Sequence, residues 1–445
     1  MEPLKQDNIV AFATPPGKSA LAVIRFSGEN LINIYKKLTK KNPKIRFAEF
    51  TKIYNPLNGQ PLDEVIIIYY KSPNSYTGED VIEISCHGGT SIKNSIINVA
   101  FKIGCRQADP GEFSMRAYLN GKLNLMQAEA VSHLISSNST LSTSIGLKHL
   151  DGRVSSFLIS LRSDVIKILS IIENELNFLE DEIEFSTKES IITKISDVKS
   201  SIKKILESSV LGKGALFGLR VVLYGKPNSG KSTLFNKILG HNRAITSEFA
   251  GTTRDSIEAY FEMKGVSICI IDTAGIWNSK KNLDLLGVEN TKNELKKADV
   301  CIVLDPDNPK KLLNKTFSNF FSGEVILVQS KRDLGPIKHN SRQIISLSSI
   351  TEEGISELLT SLSTIIENKY STFDSNVLIT KRQVFLLEES LSFLSDAIEH
   401  VQSDVGLDVV ASTLRSFVDC ISETTGNISD VDIINNIFTE FCVGK

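Results

Sequence analysis

Several things are missing from this sequence, and each absence narrows the reading. The six cysteines (Cys86, Cys105, Cys269, Cys301, Cys420 and Cys442) form no C-x-x-C pair. That argues against a zinc site or a disulfide framework and predicts a reduced, cytoplasmic setting. The six histidines make no H-E-x-x-H or comparable ligand spacing. Charge of one sign is not in excess: 50 basic against 52 acidic side chains leave a net charge of −2. No global field draws the chain to nucleic acid, so an RNA contact would need a local basic patch. Apolar-rich runs such as Val65–Tyr70 and Val266–Ile271 fall far short of the roughly 18 residues that span a bilayer, which predicts no membrane partner. The start, MEPLKQDNIVAF, has neither a signal-peptide core nor an Arg-rich transit pattern.

What remains is ordinary globular composition, 41% hydrophobic and 23% charged, over 445 residues. At about 150 residues per domain this is two to four domains. Residues 1–118 mix short apolar strands (Leu21–Phe26, Val65–Tyr70, Val81–Cys86) with turns and read as a small mixed α/β domain. Residues 119–212 turn helical. Val154, Phe157, Leu158, Leu161, Val165, Ile168, Leu169, Ile172, Leu176 and Leu179 recur at three- and four-residue steps, one stripe on a long helix. The acidic stretch from Glu173 to Glu189 reads as a solvated face or helix end. Leu211-Gly212-Lys213-Gly214 reads as a linker.

Over 217–368 strands alternate with helical stretches (Arg220–Tyr224, Val266–Ile271, Val300–Leu304, Val325–Val328, Ile344–Leu347), the pattern of a mostly parallel sheet covered on both faces. Residues 369–445 are helical again. Two helical stretches flanking an α/β block predict one helical domain with the α/β domain inserted into it.

The most specific motif is Gly225-Lys226-Pro227-Asn228-Ser229-Gly230-Lys231-Ser232, a G-x-x-x-x-G-K-S phosphate loop between a strand and a helix. Glycines let backbone N–H groups approach phosphate oxygens. Lys231 supplies charge to the β- and γ-phosphates, Ser232 a hydroxyl to Mg²⁺, and the helix N-terminus a partial positive charge. Further motifs follow in the order a GTPase requires. Gly251-Thr252-Thr253-Arg254-Asp255 offers a threonine for the Mg²⁺ shell. Asp272-Thr273-Ala274-Gly275 offers a carboxylate for water-mediated Mg²⁺ binding and an N–H that senses the γ-phosphate. Ser330-Lys331-Arg332-Asp333 offers a carboxylate for both N–H groups of guanine, and Ser348-Ser349-Ile350 a backbone contact to the base. Any one of the shorter motifs alone could be a plain turn. All of them in order, at strand ends within one α/β block, read as a Ras-like G domain that prefers guanine because of Asp333.

The whole chain resembles the tRNA-modification GTPases of the MnmE/TrmE type. The resemblance is carried by IVAFATPPGKSALAVIRFSG (9–28), PNSYTGEDVIEISCHGG (73–89), PGEFSMRAYLNGKLNLMQAEAV (110–131), GKPNSGKSTLFN (225–236), AGTTRD (250–255), DTAG (272–275) and the ending FCVGK (441–445). It implies GTP/GDP binding with Mg²⁺ and K⁺, and a homodimer formed through an N-terminal domain that also binds a formyl- or methylene-tetrahydrofolate one-carbon donor. It further implies a heterotetramer with an FAD-dependent subunit of the MnmG/GidA type. Together they would add an aminomethyl or carboxymethylaminomethyl group at carbon 5 of the tRNA wobble uridine.

By the same resemblance the nucleotide contacts are Asn228, Ser229, Gly230, Lys231, Ser232 and Thr233; Ser247, Glu248, Phe249, Ala250, Gly251, Thr252 and Thr253; Asp272, Thr273, Ala274 and Gly275; Ser330, Lys331, Arg332 and Asp333; and Ser348, Ser349 and Ile350. Ser232 and Thr253 match the Mg²⁺ positions. Asn228, Ser247, Phe249 and Thr252 match the K⁺ ligands, where the cation would take the place of an arginine finger. Arg25, Glu83, Lys122 and Lys445 match folate-contacting positions, although each alone would more often be a surface or salt-bridge residue. Cys442 matches an implicated cysteine, with a buried thiol as the plain alternative.

Two departures stand out. Ser330 replaces the usual asparagine of N-K-x-D, which predicts weaker nucleotide binding with guanine preference kept. The water-orienting glutamate aligns with Asp284, one carbon shorter, and Trp277-Asn278 replaces the usual Arg-Glu, which together predict slow hydrolysis. Both departures lend some weight to a rival reading, a GTP-binding scaffold or ribosome-assembly GTPase with little turnover. The folate-type motifs and the FCVGK tail speak against it.

Overall fold

The computed structural model describes residues 7–177, 187–241, 257–273, 284–335, 343–370, 378–403, 405–426, 437–439, 441 and 444. The chain divides into two compact units: Met1–Ile135, His149–Ile202 and Thr380–Lys445 form the first, and Ser136–Lys148 with Lys203–Ile379 the second.

The first unit begins with six strands, β1 (Asn8–Phe12), β2 (Leu21–Gly28), β3 (Glu49–Tyr54), β4 (Pro61–Tyr70), β5 (Asp80–His87) and β6 (Cys105–Gln107), in the order β3-β4-β5-β2-β1-β6. All neighbours are antiparallel except β1 and β6. Period-two alternation sets the faces. Ala22, Ile24 and Phe26 of β2 pack under the helices Leu31–Thr39 and Thr90–Lys102, which bury Ile34, Tyr35, Leu38, Ile96 and Val99 against the sheet. Ile9 and Ala11 of β1 turn to the other face and meet Ala108 and Phe113.

Beside them lies a buried ion network. Arg116, 1% exposed, donates to Asp7, Glu79 and Glu112 at 2.8–3.3 Å. Arg106 adds a forked pair to Glu112 at 2.6 and 2.8 Å and a bond to Asp7 at 2.6 Å. Burial opposes ionisation of Asp7 and Glu112. The arginine hydrogen bonds outweigh it and hold both carboxyls below their ordinary range.

The helical part of the first unit joins chain from both sides of the second. Helices Arg153–Asn177, Lys381–Gln402 and Leu407–Thr425 pack together. The expected stripe is buried at Val154, Leu158, Val165, Ile168 and Ile172, while Phe157 and Leu176 are exposed. Leu179 lies outside the described residues, as does most of the acidic stretch that follows. Arg382 clamps both oxygens of buried Glu129 at 2.9 and 3.1 Å, and Gln383 donates to the same carboxylate at 2.6 Å. These partners lie about 250 residues apart in sequence and meet in one fold, as an insertion requires.

The second unit is a six-stranded sheet of β7 (Leu219–Gly225), β8 (Ile257–Met263), β9 (Val266–Asp272), β10 (Val300–Asp305), β11 (Glu324–Gln329) and β12 (Ile344–Ser346), ordered β12-β11-β10-β7-β9-β8. Every pair is parallel except β8 with β9. Central β7 is buried on both sides: Leu219, Val221 and Leu223 face Leu234, Ile238, Leu358 and Leu362, and Val222 faces Cys269, Cys301 and Leu295.

Two sequence readings need correction. Leu211–Gly214 is not a linker but part of the helix Lys188–Phe217, whose long periodic approach outweighs two glycines. The edge strand β8 is absent from the expected strands, because Glu258, Tyr260 and Glu262 alternate along it and break the apolar run. Among the described residues no helix is long and apolar enough to cross a membrane.

Candidate functional site

Parallel strands bring their C-terminal ends to one sheet edge, and the loops that leave them form the candidate site. The phosphate loop leaves β7 and enters the helix Lys231–His241. Its backbone needs special residues. A Cβ at Gly225 would meet the Leu304 carbonyl oxygen at 2.3 Å, so only glycine lets the loop root pass β10. Gly230 has φ +93°, and Asn228 adopts the left-handed region at φ +61°. Lys231 is 4% exposed, and its ammonium donates to the carbonyls of Gly225 and Lys226, both at 2.9 Å. Burial pushes its pKa below the ordinary lysine value, against an upward pull from Asp272. Asn228, Ser232 and Thr233 are exposed on the loop and helix start, and Ser229 is buried.

Asp272 ends β9 directly beside Leu223 of β7 and is 1% exposed. Thr273 donates to the Leu223 carbonyl at 2.9 Å, fixing this turn to the root of the phosphate loop. The threonine-bearing segment between the helix Lys231–His241 and β8 (Ser247, Glu248, Phe249, Ala250, Gly251, Thr252 and Thr253, with Arg254 and Asp255) lies outside the described residues. So do Ala274, Gly275, Trp277 and Asn278. Asp284 is the first residue of the helix Asp284–Lys297.

The base-reading side is fully described. After β11, Ser330 is 3% exposed and its hydroxyl donates to the Ser229 carbonyl at 2.7 Å, joining this loop to the phosphate loop. Lys331 takes φ +61°, which turns the chain into a short helical turn carrying Arg332 and exposed Asp333. The Arg332 amide donates to the Leu347 carbonyl at 3.1 Å. Ser348, fully buried, donates to Asp333 Oδ1 at 2.6 Å and accepts from the amides of Ile350 and Thr351, both at 3.2 Å. Ser349 is half-buried and Ile350 is exposed.

Sequence reasoning assigns Ser348 a backbone contact to the base; its side chain, in addition, donates a hydrogen bond to the Asp333 carboxylate. The same reasoning misses the roles of Ser330 and Thr273 as ties to the phosphate loop. The only signal in the sequence is a hydroxyl residue at each strand end.

The second group of residues sits on the N-terminal sheet. Arg25 of β2 and Glu83 of β5 are register partners joined at 2.8 Å. The Arg25 guanidinium carbon lies 5.4 Å from the centroid of Tyr76 and 5.8 Å from that of Phe113. Lys122 donates to the Pro73 carbonyl at 3.0 Å, so it reaches the loop that carries Tyr76. Lys445 and Cys442 lie outside the described residues. Gly444, with φ +95°, packs so closely on the Phe12 carbonyl that a Cβ would lie 2.0 Å from it, which brings the C-terminal tail to the end of β1.

The profile described as the GTP-binding protein TrmE N-terminus matches residues 8–122, and the MnmE helical domain profile matches residues 125–442. A protein of Aquifex aeolicus named tRNA modification GTPase MnmE is 35% identical, covering 99% of this chain and 100% of that protein. The chain belongs to the MnmE family. MnmE proteins of Thermotoga maritima and Clostridioides difficile are 36% and 34% identical, each over 99% of this chain, covering 100% and 99% of their own lengths. Among solved structures, the G domain of the T. maritima FeoB iron transporter matches 33% of this chain and 98% of that chain at 27% identity, with a TM-score of 0.27, too low to support any structural comparison. The MnmE relatives run the full length, through the N-terminal sheet, the helical layer and the nucleotide loops alike.

Proposed function

We propose that this chain is a GTPase of tRNA modification that couples GTP hydrolysis to installing a group at carbon 5 of the wobble uridine. The observation that carries it is the meeting of Lys231 and Asp333 at one sheet edge, tied by the Ser330–Ser229 hydrogen bond, in a chain of MnmE type. The phosphate loop binds the triphosphate through backbone N–H groups, Lys231 and the helix N-terminus. Asp333, aimed by Ser348, accepts the two N–H groups of guanine that adenine lacks.

Mg²⁺ fits the exposed hydroxyl of Ser232 and the carboxylate of Asp272, with Thr253 as a further ligand. It supplies charge neutralisation at the β- and γ-phosphates. K⁺ fits Asn228, whose left-handed backbone and exposed amide suit an oxygen ligand, with Ser247, Phe249 and Thr252 completing the set. Asp284 orients the attacking water from the start of its helix. Its short side chain makes the step slow, and Asp284→Glu raises the single-turnover rate.

The domains are then an N-terminal dimerisation and folate-binding-like domain (1–118), a helical domain (119–212 and 369–445) and an inserted G domain (217–368). In the first of these, Arg25, Glu83, Lys122 and Lys445 are the residues that would hold the folate donor. The Arg25–Glu83 pair beside two aromatic rings fits a flat ring with polar edges. The partner is an FAD-dependent subunit that performs the carbon chemistry on tRNA, and the setting is cytoplasmic.

The test is GTP turnover in KCl and in NaCl, with and without the FAD-dependent partner, alongside a nucleoside digest of tRNA from a deletion strain. Faster turnover in K⁺ and loss of the modified wobble uridine are expected. Equal rates in both salts defeat the K⁺ assignment, and an intact uridine modification defeats the tRNA role.

A further inference from the structure

A cavity of roughly 360 Å³ adjoins the start of the phosphate loop. Lys231, Ser232 and Asp333 do not line it, so it is separate from the nucleotide cradle. Its walls come from three places: the root of the loop (Tyr224 to Pro227), the helix Asp284–Lys297, and the segment after β10. Tyr224, Leu295, Leu312, Phe317 and Phe320 give it an apolar interior. Two of the rings already pack on each other, with Tyr224 and Phe317 centroids 5.4 Å apart and tilted by 43°.

Among the described residues that line it, the charged side chains are lysines. Lys226 and Lys292 both line it. The Lys292 ammonium lies 5.1 Å from the Phe320 centroid, and among the described residues no carboxylate pairs with it. Lys226 is exposed, and its nearest carboxylate oxygen, on Asp305, is 3.9 Å away. An aromatic floor beside the Lys292 ammonium, in a volume of ligand size, selects a flat aromatic body bearing an anionic group.

We propose that this cavity binds a small aromatic acid, with its ring against the wall formed by Tyr224, Phe317 and Phe320 and its carboxylate on Lys292. Bound there, the acid touches the first residues of the phosphate loop and the helix that Asp284 begins. It therefore braces the two against each other and changes the rate of GTP hydrolysis without occupying the nucleotide site.

The experiment is calorimetric titration of the full-length, GDP-loaded protein with 1-naphthoate, and with neutral 1-naphthylmethanol as the charge control. One naphthoate per chain is expected, with the alcohol weaker by about threefold or more. Leu312→Trp fills the cavity and weakens naphthoate by about tenfold or more while GDP affinity is kept. Lys292→Met weakens naphthoate to the level of the alcohol and leaves the alcohol unchanged. If Leu312→Trp fails to fold, Lys292→Met and the acid-to-alcohol ratio decide. No heat at about 5 mM naphthoate, unchanged affinity in either folded variant, or displacement of GDP by naphthoate overturns the proposal.

Discussion

On the N-terminal sheet Arg25 and Glu83 neutralise one another across two strands, and Arg106, Arg116, Asp7, Glu79 and Glu112 close into a network with little exposure at its centre. At the phosphate loop the polar groups point the other way: Asn228, Ser232, Thr233 and Asp333 are exposed, held from behind by Thr273, Ser330 and Ser348. One region satisfies its charges internally and so gains rigidity. The other keeps its front row open to solvent and places the supporting hydrogen bonds in a second row. A side chain in the Arg106–Arg116 network therefore answers mainly to stability, and one at the nucleotide site mainly to ligand affinity.

The largest way to test that contrast is Arg116→Met. It leaves Asp7 and Glu112 with Arg106 and takes from Glu79 its arginine partner, and breaking a buried ion network from one side costs about 3–5 kcal/mol. Hydrogen exchange of β2 and β5 should show that loss, while GTP affinity stays unchanged. The same network predicts an acid dependence. Asp7 and Glu112 have folded pKa values held below their unfolded ones, so their contribution is complete above the ordinary carboxylate pKa and fades as pH falls through that range. Protection of β2 and β5 should drop on acidification in the parent and less steeply in Arg116→Met.

Lys231→Ala is the counterpart in the second unit. Removing an ammonium that serves phosphate oxygens costs about 2–3 kcal/mol, or roughly a hundredfold in GTP affinity, by calorimetry. Exchange in β2 and β5 should not change. If both readouts moved in either variant, the division between a stability region and a ligand region would be wrong.

A smaller effect separates the front row from the row behind it. Ser348→Ala leaves Asp333 in place but removes the bond that aims it, and strips the Ile350 and Thr351 amides of their acceptor. At about 1–1.5 kcal/mol the loss is near tenfold in GDP affinity, with ADP affinity unchanged, so the GDP/ADP ratio falls. A uniform loss for both nucleotides would make Ser348 a structural residue only.

The front row was legible in the sequence because its chemistry demands particular residues at fixed spacing: glycines where a Cβ collides, a lysine for phosphate, a carboxylate for guanine. The parallel sheet was legible from near-continuous apolar runs such as Val300–Leu304. The second row was not, since Thr273, Ser330 and Ser348 act through partners 50, 101 and 15 residues away, and no local pattern encodes such distances. Arg25 and Glu83 show the same limit from the other direction. Each matches a folate-contacting position by resemblance alone, and only strand register reveals that they face one another.

Ser330 brings both limits to one side chain and gives the smallest expected effect. Against the family's asparagine, a serine looks like a simple loss of a hydrogen bond. In the fold its hydroxyl already makes the tie to the Ser229 carbonyl at 2.7 Å, in a position 3% exposed. An asparagine there would keep that bond through its amide and add one more polar contact, but it must find room in a buried site. The net gain for Ser330→Asn is then about 1 kcal/mol at most, no more than about fivefold tighter GTP binding. Ser330→Ala, which cuts the tie without adding bulk, should weaken GTP by a similar factor. If Ser330→Ala binds GTP as the parent does, the tie has no energetic weight, and the open row of the nucleotide site stands without support from this second row.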